Sequence, residues 1–528
     1  MEHYQVAAID LIIVAVYLIA SRWLPLWLTR GKHDDAKGFF LGGRNFAWPL
    51  IGFSLFATNM SGSSFVGLAG AGYSSGIAVY SYEWMAAVIL IFFIFFLLPF
   101  YLRSGVFTMP EFLERRFDRR SRYTLAMILL FFNIFVDCAA ALYAGGLVAQ
   151  TLFPFIPIWG GVLFLAVLAG IMSVFGGLSA VVVSDSIQAV VLIIGGVIIF
   201  VAAWMAIPSW EAVVQTAPAG ALNIIQPAND DVLPWPGLLT GVLIIGIYFW
   251  TSNQLIVQRT LGARSLDHGR WGALFAGFLK LPILFIMILP GTMAMVLYPD
   301  LPSPDMAFPT LAFDLLPIGL RGVILAALIA AITSSVDSIL NSASTMVTMD
   351  FIKTHQPDVS DHALVRIGQI TTLIVMIIAI AWAPQIQYFP SLWVYLQSVL
   401  SYVTPPIVAV FLTGIFWQRA NRYAAFATLI IGVIGGVIGF ITVEILESID
   451  IHFLYAAGIS FVGSVLLMIV VSVMTPPEPN DKVASLVWHP SMWHTETVAL
   501  KDKPAWQNYR YQSVALLMMT ALVVGWFW

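Results

Sequence analysis

The chain has 528 residues, of which 60% are hydrophobic and only 10% charged, and its net charge is −4. A mean hydropathy of +0.91 excludes an ordinary soluble globular protein and describes an all-α polytopic membrane protein, most of whose length lies in lipid. The single cysteine, Cys138, excludes an intrachain disulfide and supplies too few thiolates for a zinc or iron–sulfur cluster.

About fourteen apolar stretches long enough to span a bilayer follow one another along the chain. They lie at 7–28, 46–72, 77–102, 123–152, 157–176, 179–207, 236–257, 269–297, 319–346, 364–388, 391–417, 423–446, 453–475 and 511–528. The first is preceded by Met-Glu-His rather than by basic residues, and no small-residue cleavage site follows it. It therefore reads as a retained helix and not as a signal peptide.

The second stretch is interrupted by Ala-Thr-Asn-Met-Ser-Gly-Ser-Ser-Phe-Val-Gly at 57–67. Unwound backbone at membrane depth survives only where it is buried in protein or lines a cavity. Its freed carbonyls and neighbouring hydroxyls then suit a cation or a polar solute. A second interruption is expected near Gly246 and again at Thr251-Ser252-Asn253.

Lys280, in Phe-Leu-Lys-Leu-Pro within the stretch 269–297, costs about 2.5 to 3.5 kcal/mol at bilayer depth and needs a partner. Glu83, Asp137, Asp185 and Asp337 fall within spans and are available. In the stretch 319–346, Ser334, Ser338, Asn341, Ser342 and Thr345 recur at helical spacing on one face. Such a stripe suits a small-residue packing seam. The paired hydroxyls of Ser334 and Ser335 beside Asp337 also form an oxygen-rich set for a hard cation.

Between Met474 and Tyr511 lies the only sizeable polar segment, and its Pro-Pro-Glu-Pro start reads as a linker. His489 and His494 lie in it with no cysteine or local carboxylate pair to complete a metal site, so they read as loop residues. Lys and Arg concentrate in cytoplasmic loops, and alternate loops here collect 22 of the 24 basic residues if the N-terminus is outside. Both termini are thus expected to be extracytoplasmic. The blocks 46–207 and 236–417 hold five spans each, are of similar length and open on interrupted helices. This pattern points to an inverted-repeat transporter with its site near the midplane. One span, 7–28, precedes the blocks, and three, within 423–528, follow them.

Short motifs carry a resemblance over nearly the whole chain. They include Phe-Phe-Leu-Gly-Gly-Arg at 39–44, Phe-Val-Gly-Leu-Ala-Gly at 65–70, Tyr-Glu-Trp at 82–84 and Thr-Met-Pro-Glu-Phe at 108–112. Further along are Val-Phe-Gly-Gly-Leu-Ser-Ala at 174–180, Asn-Gln-Leu-Ile-Val-Gln-Arg at 253–259, Leu-Asn-Ser-Ala-Ser-Thr at 340–345 and Thr-Pro-Pro-Ile-Val-Ala-Val-Phe at 404–411. In order and spacing they resemble the sodium/solute symporters, in particular the sodium-glucose and sodium/myo-inositol branch. The resemblance implies the five-plus-five inverted-repeat fold of the bacterial leucine transporter.

It also implies a central sodium site made by backbone carbonyls of Ala57, Met60 and Ala331 with the hydroxyls of Ser334 and Ser335. A second sodium, bound by some relatives, would correspond to Asp185, Ser334, Asp337 and Ser338. The family's solute-contacting positions match Asn59, Glu83, Lys280 and Gln397, with Trp250 as an aromatic cover and Phe249 as an inner gate. These types suit a polyol: carboxylate and amide pair with hydroxyls while an aromatic face covers the apolar side of a ring. Ser64 stands where sugar carriers show a longer Gln or His, Phe249 replaces a gating Tyr, and Gly246 replaces an amide of some bacterial relatives. The added room would admit a larger sugar, an inositol or a sugar acid.

The reading is sodium-coupled symport of a sugar or polyol across the cell membrane by alternating access. Na+ is the coupling ion, the small solute and membrane lipid are the partners, and no organic cofactor or nucleic acid is involved. A proton-coupled carrier would use Asp185 or Asp337 as its relay. A sodium or proton symporter for a sugar acid, amino acid, carboxylate or vitamin is the main alternative. A membrane enzyme is disfavoured, since the chain shows no zinc motif, nucleophile elbow or phosphate loop.

Overall fold

The computed structural model describes residues 7–31, 35–152, 155–388 and 392–528. Among the described residues the regular structure is helical, with two isolated β-bridges and no strand. A chain this apolar must satisfy its backbone internally, and the helix does so within a single segment.

Eleven continuous helices among the described residues are long and apolar enough to cross a bilayer. The smaller number than the fourteen stretches read from sequence has three sources. The stretch 46–72 is divided into Trp48–Asn59 and Gly62–Ser75. The stretches 157–176 and 179–207 run together as Ile158–Ala206. The last helix, Tyr509–Trp526, is shortened in apolar length by its polar first turns.

The joined helix is not one straight rod. At about 1.5 Å per residue, 49 residues would measure more than twice the ~30 Å hydrocarbon thickness. It leaves helical geometry at Gly177, whose φ is 52° and ψ −165°. A Cβ there would also lie 2.7 Å from the Phe39 carbonyl oxygen. Glycine is thus required both by the left-handed φ and by the close backbone approach.

Burial sorts the helices into centre and rim. The Leu320–His355 segment, which carries the serine stripe, is 89% buried over its most apolar window, against 22% for Ala8–Leu28 and 28% for both Arg422–Ile445 and Phe453–Met474. The serine helix Leu320–Met346 packs chiefly against Ile158–Ala206 and the N-terminal helix Ala8–Leu28. Asp10 accepts from the backbone N–H groups of Gly319 (2.7 Å) and Gly322 (2.8 Å), which start the serine helix. Arg22 donates to Asp337 at 2.6 Å further along both helices. The two contacts make these helices parallel, as expected for the first and ninth of the stretches read from sequence.

The segment after Met474 is more than a linker. It contains the helix Pro490–Leu500, whose Glu496 accepts from Arg270 (2.6 Å) and from the Tyr509 hydroxyl (2.7 Å). Glu478 is held by the Nε (2.7 Å), Nη2 (2.8 Å) and backbone N–H (3.1 Å) of Arg422.

Candidate functional site

The first interruption is built by local hydrogen bonding. The helix Trp48–Asn59 stops at Met60, whose ψ of 73° is not helical. Ser61 then turns its N–H to the Asn59 carbonyl at 3.0 Å, so the Ala57 carbonyl loses its usual i+4 partner. Ser61 caps the next helix by accepting from Ser64 N–H at 3.1 Å. Its hydroxyl lies 2.9 Å from that of Ser64, which donates to the Asn59 carbonyl at 3.3 Å. A helix end leaves carbonyls without intrahelical partners; here the Phe56 carbonyl still accepts from Met60 N–H at 3.0 Å, while Ala57, whose carbonyl has lost its partner, is fully buried. Ala57, Met60 and Ala331 are all fully buried.

Ser335 bridges the two elements. Its hydroxyl is 3.2 Å from the Ala331 carbonyl and 3.4 Å from the Thr58 carbonyl, and it also lines a cavity. Ser334 faces the other way and donates to Asp185 Oδ1 at 2.6 Å. Its lone pairs remain as acceptors once the proton is committed to the carboxylate. Ser335 thus joins the serine helix to the broken helix end at Thr58, between Ala57 and Met60, while the neighbouring Ser334 is directed to Asp185.

The second expected ion set is arranged differently. Asp185 Oδ2 accepts from Ser54 (2.5 Å), Thr58 (3.3 Å) and Arg259 (3.2 Å). Arg259 also donates to Ser54 Oγ at 2.8 Å, to the Ser338 hydroxyl and to the Leu255 carbonyl. A guanidinium therefore stands where Asp185 and Ser338 meet. Asp337 is not part of this group; it pairs with Arg22 of the N-terminal helix. Arg22 and Arg259, counted among loop cations in the sequence, are 7% and 1% exposed. Ser54, Thr58 and Arg259 escape a sequence reading because nothing in spacing links them to Asp185, which lies 131, 127 and 74 positions away.

The cavity, about 170 Å³, is lined by Asn59, Ser64, Glu83, Phe249, Trp250 and Gln397 among others. Lys280 is fully buried beside this wall rather than on it. Its ammonium lies 2.7 Å from Glu83 Oε2 and also bonds Asn59 Oδ1. It stands 5.4 Å from the centroid of the Trp250 ring, within cation–π range. Gln397 lines the cavity, and its buried Oε1 has no hydrogen-bond partner.

Phe249 and Trp250 meet edge to face, with centroids 5.4 Å apart and planes at 80°. Both lie on a π-helical turn, Tyr248–Ser252, which ends in extended backbone at Asn253. The π-turn is a common device at functional sites. The second interruption is therefore at Asn253. The one expected near Gly246 is absent: that residue stays within the helix Leu243–Ile247, lines the cavity and is packed closely by Ile89.

The family model for the sodium:solute symporter family matches residues 39–432. The chain belongs to the sodium:solute symporter family. A sodium/glucose cotransporter of Vibrio parahaemolyticus is 37% identical over 470 residues, covering 83% of this chain and 85% of that protein. Sodium/myo-inositol cotransporter 2 of Oryctolagus cuniculus is 34% identical over 534 residues, covering 91% and 78%. Among solved structures, a substrate-bound outward-open Na+-coupled sialic acid symporter aligns with a TM-score of 0.77 at 24% identity, covering 89% of this chain and 99% of that one. The nucleobase-cation-symport transporter Mhp1 aligns with a TM-score of 0.56 at 13% identity, covering 87% and 99%.

This symporter therefore has the leucine-transporter-like fold, takes Na+ as its coupling ion and is a multi-pass membrane transporter rather than an enzyme. The ligands suggested for Na+ are carbonyls and hydroxyls, hard oxygen donors of low charge that also release the ion.

Proposed function

We propose that this symporter imports a sugar or polyol with Na+ through the cavity between Asn59, Glu83, Trp250 and Gln397. The observation that carries this reading is the Lys280 group beneath the cavity: its bonds to Glu83 and Asn59 fix a carboxylate and an amide side by side at the wall. Two adjacent hydroxyls of a ring match such a pair, Gln397 supplies a further acceptor, and Trp250 covers an apolar ring face. The relatives named for glucose and myo-inositol support the same class. Lys280 is then a positioning residue that orients the two groups touching the solute.

Na+ sits at Ala57, Met60, Ala331, Ser334 and Ser335 in this reading. Ser335 touches both the ion group and the cavity, so ion binding orders the broken helix that also carries Asn59. Coupling requires only that Na+ bind one state more tightly than the other. The ion favours the outward-open state, the solute joins, the blocks 46–207 and 236–417 rock against each other, and Phe249 yields on the inner side. Entry of Na+ is aided by about 2.3 kcal/mol per charge per 100 mV. Arg259 and Arg22 neutralise Asp185 and Asp337, so we assign one Na+ per cycle. Both termini are extracytoplasmic, as the basic residues indicate.

Calorimetric binding of glucose and myo-inositol to the purified chain, with Na+ and with choline in its place, tests this reading. Tighter sugar or polyol binding in Na+, with reciprocal tightening of Na+, is expected. Sodium-independent binding, or none of either solute, would contradict it.

A further inference from the structure

Asp137 is a carboxylate that the arrangement above leaves unused. It stands on the π-helical turn Phe132–Cys138 and lines the cavity with Ala140 and Ala141. Among the described residues no hydrogen bond or ion pair reaches it. The charged side chains on the cavity wall are Glu83 and Asp137, and Lys280 is committed to Glu83 at 2.7 Å. The cavity is thus left with one carboxyl group that has no cationic partner among the described residues.

A carboxylate held out of bulk water without a counter-charge is penalised by several kcal/mol. An ionisable group placed inside a membrane protein is by default a functional one. Near Asp137 in sequence the wall is made of the small residues Ala140 and Ala141, which leave space for a solute group to approach the carboxylate. Asp137 is not among the oxygens of the ion group proposed at the Ala57–Met60 helix end, so that group leaves its carboxyl without a ligand.

We propose that Asp137 selects the transported solute by charge, so that the cavity takes a polyol bearing a protonated amine, an amino sugar or amino-cyclitol, ahead of its neutral parent. This rests on the reading of the cavity as the solute site. Asn59, Glu83 and Gln397 meet hydroxyls, and the ammonium donates to Asp137 in a charge-assisted bond, roughly twice as strong as a neutral one. A sugar acid is rejected, because Lys280 is already paired and the solute carboxylate meets a like charge.

The test is equilibrium binding to the full-length purified chain at pH 7 in saturating Na+, with glucose, glucosamine and glucuronate as probes. Glucosamine is expected to bind at least about tenfold more tightly than glucose, a difference of ~1.4 kcal/mol, and glucuronate more weakly than either. Asp137→Asn should bring the glucosamine-to-glucose ratio to within about twofold, a readout taken inside one variant and so independent of folding yield. Glucose binding as tightly as glucosamine in the unmodified chain, or an unchanged ratio in Asp137→Asn, overturns the proposal. Trp250→Ala separates the two readings. If it weakens every probe alike, the cavity is the solute site and the ratio judges Asp137; if it changes none, the cavity reading fails and this proposal fails with it.

Discussion

Lys280 and Glu83, 197 positions apart, meet at 2.7 Å with both side chains almost wholly withdrawn from solvent. Removing one member of such a pair leaves the other charged and uncompensated, at a cost of about 3 to 5 kcal/mol. Glu83→Gln and Lys280→Met are each expected to lower the thermal midpoint in detergent markedly. The double variant should regain most of that stability while remaining unable to bind solute. Binding retained in the double variant would show that the pair serves only the fold.

Ser335→Ala removes a hydroxyl shared by the broken helix and the serine helix. Loss of one hydrogen-bonding or ligating oxygen typically costs about 1 to 3 kcal/mol. The sodium concentration for half-maximal uptake is expected to rise roughly tenfold or more, with little change in thermal midpoint. Sodium activation identical to that of the unmodified chain would remove Ser335 from the ion site.

Arg259 satisfies Asp185 in the place expected for a second ion. Arg259→Gln leaves Asp185 charged, so this variant should be strongly destabilised in choline buffer. Na+ is expected to recover part of the loss by entering the vacated place, up to about 2.7 kcal/mol at a hundredfold excess over its dissociation constant. Thermal midpoints in choline and in Na+, for variant and unmodified chain, check this. An equal sodium effect on both would argue that Na+ does not replace the guanidinium.

Phe249 packs edge to face on Trp250 at the cavity wall. Phe249→Ala is expected to loosen the inner closure, raising solute efflux from preloaded vesicles in the absence of Na+. Tight vesicles with this variant would show that closure rests on other residues.

Glu478 lies outside the spans. Burial raises its carboxyl, but hydrogen bonds from Arg422 and the charge of Lys482 win, and it is held below its ordinary value. Its contribution to stability is therefore complete above the unfolded value of about 4.3 and is lost as pH falls through the lower folded value. Acid unfolding of Glu478→Gln should lack that component. Superimposable acid-unfolding curves would contradict it.

Much of the architecture is legible in the sequence because the bilayer enforces it. Apolar stretches of spanning length must be helical, and the breaks at Asn59 and Asn253 are announced by polar residues in otherwise apolar runs. The turn at Gly177 is likewise marked by Phe-Gly-Gly-Leu-Ser. What sequence does not disclose is pairing across the bundle. Arg22 and Arg259 belong to basic clusters at helix ends, and only folding reveals that they point inward to Asp337 and Asp185. Lys280 announces that it needs a partner, whereas the choice of Glu83 over Asp137 depends on helix rotation. The π-turns beneath Asp137 and Trp250 shift that rotation locally, and no residue pattern marks them.

The most direct test of the central claim is uptake into proteoliposomes under an imposed inward sodium gradient, scanning labelled hexoses, inositols, amino sugars, sugar acids and proline. Accumulation of a sugar or polyol that needs sodium and collapses when the gradient is dissipated is the expected result. Sodium-driven uptake of proline or another non-polyol, with every sugar and polyol excluded, would contradict the solute assignment.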